Sequence, residues 1–410
     1  MRVYLAPCGI GLGHITRLDP IAQELTKRGN RVVFSTYLDG LDYAKKKKLP
    51  TFAAVPLNFK VTTDGAIDFK MTAATAGFSL GIRTFLKQVT HEIGFLKQFR
   101  PDVVVSDSRA SSLVAARLLR IPVALILNQF RVEIIRRPTN RSLNLQDRVF
   151  FLIANIGWLF VRTAIGLVWG KSQVILIPDL PAPHTIAQGN LAIPKRYNGK
   201  VKLIGPMLER LPAANNSQAE AKRDLHFDRR KPLIYGAVSG PNVERKVLAR
   251  ILLRAFEELP NRFQAVLSRG QPDGDQKPRT VKDVRVFDWL DNQDEYIDAC
   301  DILVGRAGHG TIMKSLTYGK PMILIPIPDH TEQIGNARRA AQLHVAKVIN
   351  QNTLNVSTLT SAAEAIMGSE TFRKNSVEIS RSAGSLNAVV SACDIIEKLP
   401  TSKLKHDFTY

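Results

Sequence analysis

Two glycine-rich turns, almost 300 residues apart, gather the side chains of this chain whose types and spacing could do chemistry. The first, Gly9-Ile10-Gly11-Leu12-Gly13-His14, follows the apolar run Val3-Tyr4-Leu5-Ala6; the second, Arg306-Ala307-Gly308-His309-Gly310-Thr311, follows Ile302-Leu303-Val304. A glycine turn between a strand and a helix leaves backbone N–H groups unpaired at the positive end of the helix dipole, which is where α/β proteins hold phosphates. The second turn predicts a helix opening at Thr311, with Arg306 adding a fixed charge. In the first, Gly11 and Gly13 are the expected acceptor- or phosphate-binding positions, and the imidazole of His14 stands at the exit. Asp107 closes the apolar run Asp102-Val103-Val104-Val105-Ser106-Asp107 and, in a parallel sheet, faces the same rim as His14.

The elements that must position these residues alternate in type. Val32-Val33-Phe34-Ser35 follows a helix ending near Gly29, and Val123-Ala124-Leu125-Ile126-Leu127 follows a helix from Ser111 to Arg120. In the second half, Leu233 to Gly236, Gln264 to Leu267, Val284 to Phe287, Ile302 to Val304 and Met322 to Ile325 read as strands. β-Branched runs separated by helical patterns predict parallel sheets covered on both faces. Residues 206–231, rich in Pro, Ala, Asn and Lys, read as a linker. The division expected is an N-terminal Rossmann-like domain over 1–205 and a second over 232–410, its last helix returning to the first domain. A chain of 410 residues, 45% hydrophobic, can build two such cores.

Three cysteines, Cys8, Cys300 and Cys393, lack any C-x-x-C spacing, which argues against a disulfide framework and a zinc site. With no secretion leader ahead of the first strand, a cytoplasmic setting is expected. The formal charge of +21 is uneven: residues 1–200 hold 28 Lys+Arg against 12 Asp+Glu, the remainder 29 against 24. Such a field suits a polyanionic ligand or an anionic membrane surface. Nucleic acid is disfavoured by the lack of a zinc-finger spacing, an aromatic RNA-binding signature or a basic recognition helix. Lys45 to Lys48 read as a solvated helix face. From Val149 to Trp169 runs an apolar segment nearly long enough to span a bilayer, yet Arg148, Asn155 and Arg162 recur every seven residues and set a narrow polar stripe among Phe150, Phe151, Trp158, Phe160 and Trp169. A helix in the membrane interface and a helix packed on its domain both fit this pattern better than a span does. Arg131, Arg136, Arg137, Arg141 and Arg148 beside it would favour acidic headgroups.

The second turn continues into Gly319-Lys320-Pro321, Pro326, Glu332-Gln333 and Asn336-Ala337. This ordered signature resembles the donor-binding domain of inverting glycosyltransferases of the GT-B fold, two facing Rossmann-like domains with a cleft between them. It resembles in particular the MurG-type enzymes, which add N-acetylglucosamine to a lipid-linked precursor, and the related UDP-glycosyltransferases. The resemblance implies that Arg306, Gly308, His309, Gly310 and Thr311 hold the donor diphosphate and that Glu332 and Gln333 bind the hydroxyls of the donor sugar. It implies that Ser239, in Gly236-Ala237-Val238-Ser239-Gly240, approaches the phosphates. Trp289 is left between a pocket-wall role and core packing. His14 is the expected base, taking a proton from the acceptor hydroxyl. Asp107 corresponds to the aspartate that orients this histidine in the UDP-glycosyltransferases, a residue the MurG-type pattern lacks.

One position departs from the pattern. Where both groups carry a glutamate for the nucleotide ribose, this chain has Lys314, which has donors only. A different hold on the donor, another nucleotide, or a silent lipid- or nucleotide-binding subunit would each account for it; a sugar-nucleotide epimerase of the same architecture is a further alternative. The expectation is transfer from a UDP-sugar to a lipid-linked acceptor at the inner face of the cytoplasmic membrane by a peripheral enzyme, with no cofactor and no metal, since no Asp-x-Asp motif stands near the sites.

Overall fold

The computed structural model describes residues 1–56, 69–130, 144–212 and 217–399. Its first half alternates β1 (Arg2–Pro7), α1 (Gly13–Lys27), β2 (Arg31–Thr36), α2 (Leu38–Lys46), β3 (Thr51–Ala53), α3 (Phe69–Phe99), β4 (Val103–Asp107), α4 (Ala110–Leu118), β5 (Val123–Ile126), α5 (Leu145–Trp169), β6 (Val174–Ile177), α6 (Gln188–Leu191) and β7 (Val201–Leu203). The strands form one parallel sheet in the order β3-β2-β1-β4-β5-β6-β7. Val3, Tyr4, Leu5 and Ala6 are wholly buried, as expected of a parallel strand covered by helices on both faces.

The second half runs α7 (Gln218–Asp224), β8 (Leu233–Ala237), α8 (Asn242–Glu257), β9 (Gln264–Ser268), β10 (Arg279–Val281), β11 (Val284–Phe287), α9 (Gln293–Ala299), β12 (Ile302–Gly305), α10 (His309–Thr317), β13 (Met322–Leu324), α11 (Thr331–Gln342), β14 (Ala346–Val348), α12 (Val356–Met367), α13 (Glu370–Gly384) and α14 (Ala388–Lys398). Its sheet has the order β10-β11-β9-β8-β12-β13-β14. The edge strand β10 is antiparallel, so this sheet is not parallel throughout. In both sheets the order reverses beside the first strand of the domain, the switch point at which α/β folds open a ligand crevice. Within the segment read as a linker, α7 packs on the second domain, where Lys222 pairs with Asp301 at 2.6 Å.

The two halves are tied at both ends. Ala388, Ala392, Cys393 and Ile396 of α14 bury among Ile21 and Leu25 of α1, and Arg28 meets Asp394 at 2.6 Å and Glu397 at 2.9 Å. Nearer the crevice, Trp289 packs edge-on against Tyr43 of the first domain at 6.2 Å, and the buried pair Arg245–Asp39 spans 2.9 Å. The lysine run is more than a solvated face: Lys46 lies 5.2 Å from the Trp289 ring and Lys47 lies 3.8 Å from Asp291.

The apolar helix α5 is not a core helix. Leu152, Ile153, Ile156, Leu159 and Phe160 are exposed, Phe160 at 71%, while the C-terminal end packs on the domain through Ile165, Val168 and Trp169, the last against Phe130. Arg148 is exposed as well. Among the described residues no helix is long and apolar enough to cross a membrane. Arg131, Arg136, Arg137 and Arg141, and the side chains of Phe150 and Phe151, lie outside the described residues.

Candidate functional site

The carboxyl ends of the two sheets face each other across a cleft of about 560 Å³, walled by Gly11 to His14 on one side and by Ser239, Gly240 and Gly308 to Thr311 on the other. His14 stands in the first turn of α1, and Asp107 ends β4, the strand beside β1. The ring Nδ1 of His14 is 2.8 Å from Asp107 Oδ1. Burial would push this carboxyl up, but Arg17 and His14 outweigh that and hold it down at about 2. Ionised, it can only accept, so Nδ1 carries the proton and donates, leaving Nε2 as the acceptor. Arg17 shares the aspartate, its Nε donating to Oδ2 at 2.8 Å and a second guanidinium nitrogen to Oδ1. A histidine held in one tautomer by a buried carboxylate is the arrangement of a general base.

Opposite, α10 opens at His309, two residues before the position expected from sequence, and its N-cap Gly308 makes no side-chain cap. Glycine at the cap leaves the N–H groups of the first turn to the cleft. Ser239 and Thr311 come together, Oγ to Oγ1, at 3.3 Å. Two donor-binding expectations need correction. Arg306 does not line the cleft: it is 1% exposed, donates to Ile325 O at 3.2 Å, and burial lowers its guanidinium to about 10. His309 lines the cleft, but its ring is turned to the first domain, Nε2 lying 3.1 Å from Asp179 Oδ2. The first turn needs a correction too. Gly11 N–H is not free for a ligand, because it donates to Asp39 Oδ2 at 3.0 Å. Gly13 is exposed, with open space where a Cβ would stand.

At the sugar end, Glu332 lines the cleft and accepts from Asn128 Nδ2 of the first domain at 2.6 Å. Gln333 also lines it, but its Oε1 accepts the Ile327 N–H at 3.1 Å, so the amide oxygen holds the turn after β13. Lys314 lies 2.7 Å from Asp294 Oδ1, and both line the cleft near Trp289 and Leu290. A carboxylate therefore stands in this part of the cleft after all, brought by α9 rather than by α10. Trp289 serves both of its readings, buried against Tyr43 while its Nε1 donates to Asp291 at 2.6 Å. Sequence reasoning missed Arg17, Asp39, Asn128 and Asp294. Arg17 alone had a local signal, one helical turn after His14; the other three reach the cleft through the fold. Among the described residues, no group of three His, Cys, Asp or Glu is gathered as for a metal.

This architecture, two facing α/β domains with a cleft between them, is that of the GT-B fold. Residues 242–391 match the glycosyltransferase family 28 C-terminal domain. An uncharacterised glycosyltransferase of Methanosarcina acetivorans is 26% identical over 404 residues, 97% of this chain and 98% of that protein. The UDP-N-acetylglucosamine–N-acetylmuramyl-(pentapeptide) pyrophosphoryl-undecaprenol N-acetylglucosamine transferase of Lactobacillus johnsonii is 22% identical over 419 residues, 98% of this chain and all of the other. Among solved structures, spinosyn rhamnosyltransferase SpnG complexed with thymidine diphosphate superposes with a TM-score of 0.63 at 16% identity, over 97% of this chain and 100% of that one. The protein is a glycosyltransferase that resembles the MurG-type enzymes and the UDP-glycosyltransferases.

Proposed function

We propose that this glycosyltransferase moves a hexose or N-acetylhexosamine from a UDP-sugar to a lipid-linked acceptor, with inversion, as a peripheral enzyme at the cytoplasmic face of the membrane. The observation that carries the chemistry is the His14–Asp107 contact of 2.8 Å at the rim of the cleft, across from the uncapped start of α10. The acceptor oxygen attacks the anomeric carbon while His14 Nε2 takes its proton. The bond from that carbon to the β-phosphate oxygen breaks, and the departing diphosphate carries its charge to the N–H groups of α10 and the Ser239–Thr311 pair. Attack from the face opposite the leaving group inverts the centre. That a MurG-type relative is named for a UDP-linked donor and an undecaprenol-linked acceptor, and that SpnG holds thymidine diphosphate, supports a nucleoside diphosphate donor. The acceptor reading is supported by the exposed apolar side chains of α5 and the basic excess of the first 200 residues, which suit an anionic lipid surface.

The test is incubation with radiolabelled nucleotide sugars and a membrane lipid extract, followed by identification of the labelled product and its anomeric configuration. Label in a lipid product of inverted configuration is expected; transfer only to water-soluble acceptors would refute the lipid assignment. His14→Ala should lose turnover by about 10²- to 10⁴-fold with nucleotide binding kept, and undiminished turnover would remove His14 from the mechanism.

A further inference from the structure

The mechanism above leaves a buried carboxyl of the cleft unused. Glu244, in the first turn of α8, lines the cleft yet is 1% exposed, and its Oε2 has no hydrogen-bond partner. Glutamate at this helical position commonly closes a capping box on the N–H of the N-cap residue. Here the N-cap is Pro241, which has no N–H to donate, so capping does not account for Glu244. Its Oε2 sits against the Ser239-Gly240 turn, 3.5 Å from where a Cβ on Gly240 would stand. That turn meets the start of α10 through the Ser239–Thr311 contact. The carboxyl is thus placed beside the phosphate end of the cleft, where a second negative charge would repel a diphosphate.

We infer that Glu244 is a protonated carboxylic acid that donates its O–H to a phosphate oxygen of the bound nucleoside diphosphate. The inference rests on the nucleotide-sugar reading above. Burial pushes this carboxyl up to about 8; Arg306 works against the shift, and Asp39, across the domain boundary, adds to it. Arg245, the next residue of α8, is engaged with Asp39 at 2.9 Å, so it does not neutralise Glu244 through a direct pair. An un-ionised carboxyl gives the diphosphate a donor without bringing a charge, a use of burial known from other enzyme sites.

The sign of the pH dependence follows. Only the neutral form donates, so diphosphate binding is strong below about 8 and weakens as the pH rises through that value. The terminal phosphate of UDP, with its second ionisation at about 6, keeps a constant charge over this window. The experiment is calorimetric titration of the whole protein with UDP and with dTDP from pH 7 to 9.5, in two buffers of different ionisation enthalpy. For the wild type, affinity should fall about tenfold per pH unit above 8, with about one proton taken up per diphosphate bound at pH 9. Glu244→Gln, which keeps a donor of the same shape and cannot ionise, should bind at pH 7 within about threefold of wild type, with a flat profile and no proton uptake. Glu244→Ala should bind about tenfold more weakly at pH 7, also without pH dependence. A wild-type slope retained in Glu244→Gln, or a wild-type profile flat across the range, overturns the inference while leaving the nucleotide-sugar reading intact. Absence of UDP and dTDP binding at every pH overturns both.

Discussion

Replacing Asp107 with Asn separates a histidine that is held from one that is merely nearby. In the wild type, Asp107 Oδ1 receives both His14 Nδ1–H and an Arg17 N–H, and Oδ2 receives Arg17 Nε–H. An asparagine has one oxygen for these two places. With its oxygen toward His14, its NH₂ opposes Arg17 Nε–H. With its oxygen toward Arg17 Nε, its NH₂ faces His14 and forces the other tautomer, in which Nε2 carries the proton and cannot accept another. Either arrangement also leaves a guanidinium without its buried counter-charge, a loss of about 3–5 kcal/mol in stability. The wrong tautomer can cost up to about 10⁴ in kcat, so a fall of about 10²- to 10⁴-fold in nucleoside diphosphate release is expected, with nucleotide affinity within about threefold of wild type. Urea unfolding run in parallel separates the two losses. The stability term has its own signature. The depressed Asp107 carboxyl contributes about 2 kcal/mol in the wild type that is fully present above pH ~4 and is lost as the pH falls through about 2, so the Asn variant should show less acid dependence. Wild-type turnover in a folded Asp107→Asn protein would refute the coupling of these two residues.

Two further sets of substitutions test the rest of the site and the surface. Lys314→Glu sets a carboxylate beside Asp294, 2.7 Å from where the ammonium now lies. Nucleotide affinity should fall about tenfold, with partial recovery in the double variant with Asp294→Lys; tighter binding in Lys314→Glu alone would show that the pair is dispensable. Ile153→Ser with Phe160→Ser removes two exposed apolar side chains of α5. Co-sedimentation with anionic phospholipid vesicles at moderate salt should drop at least about tenfold, since each buried side chain of this size contributes about 1.5–3 kcal/mol. Unchanged sedimentation would remove α5 as the lipid contact.

What the sequence disclosed and what it withheld follow from how far apart the causes lie. β4, β8, β9, β11 and β12 were legible because buried parallel strands are runs of apolar residues between breaks. β3, β7, β10 and β14 are the edge strands of the two sheets, each three residues long and partly exposed, β10 carrying the exposed Arg279 and Thr280; the equally short β13 lies inside its sheet, wholly buried, and so showed as an apolar run. β6 follows α5 after only a short polar turn and was lost in the apolar stretch before it. His14, Asp107 and the start of α10 were legible because each ends an element at the cleft rim, where chain position alone nearly sets location in space. The side-chain directions were not. Gly11 looked like a phosphate ligand until Asp39, 28 residues away, took its N–H. Arg306 looked like a charge in the cleft, yet the loop after β12 turns it inward to the Ile325 carbonyl. Lys314 looked like the loss of a carboxylate, and α9 supplies one at the same wall through Asp294. In each case the deciding partner belongs to another element, so the periodicity that locates an element cannot report it. Glu244 is the converse. Its spacing after Pro241 has the look of an ordinary helix start, and its isolation emerges only once the fold has covered it and left one oxygen without a hydrogen-bond partner beside the Ser239-Gly240 turn.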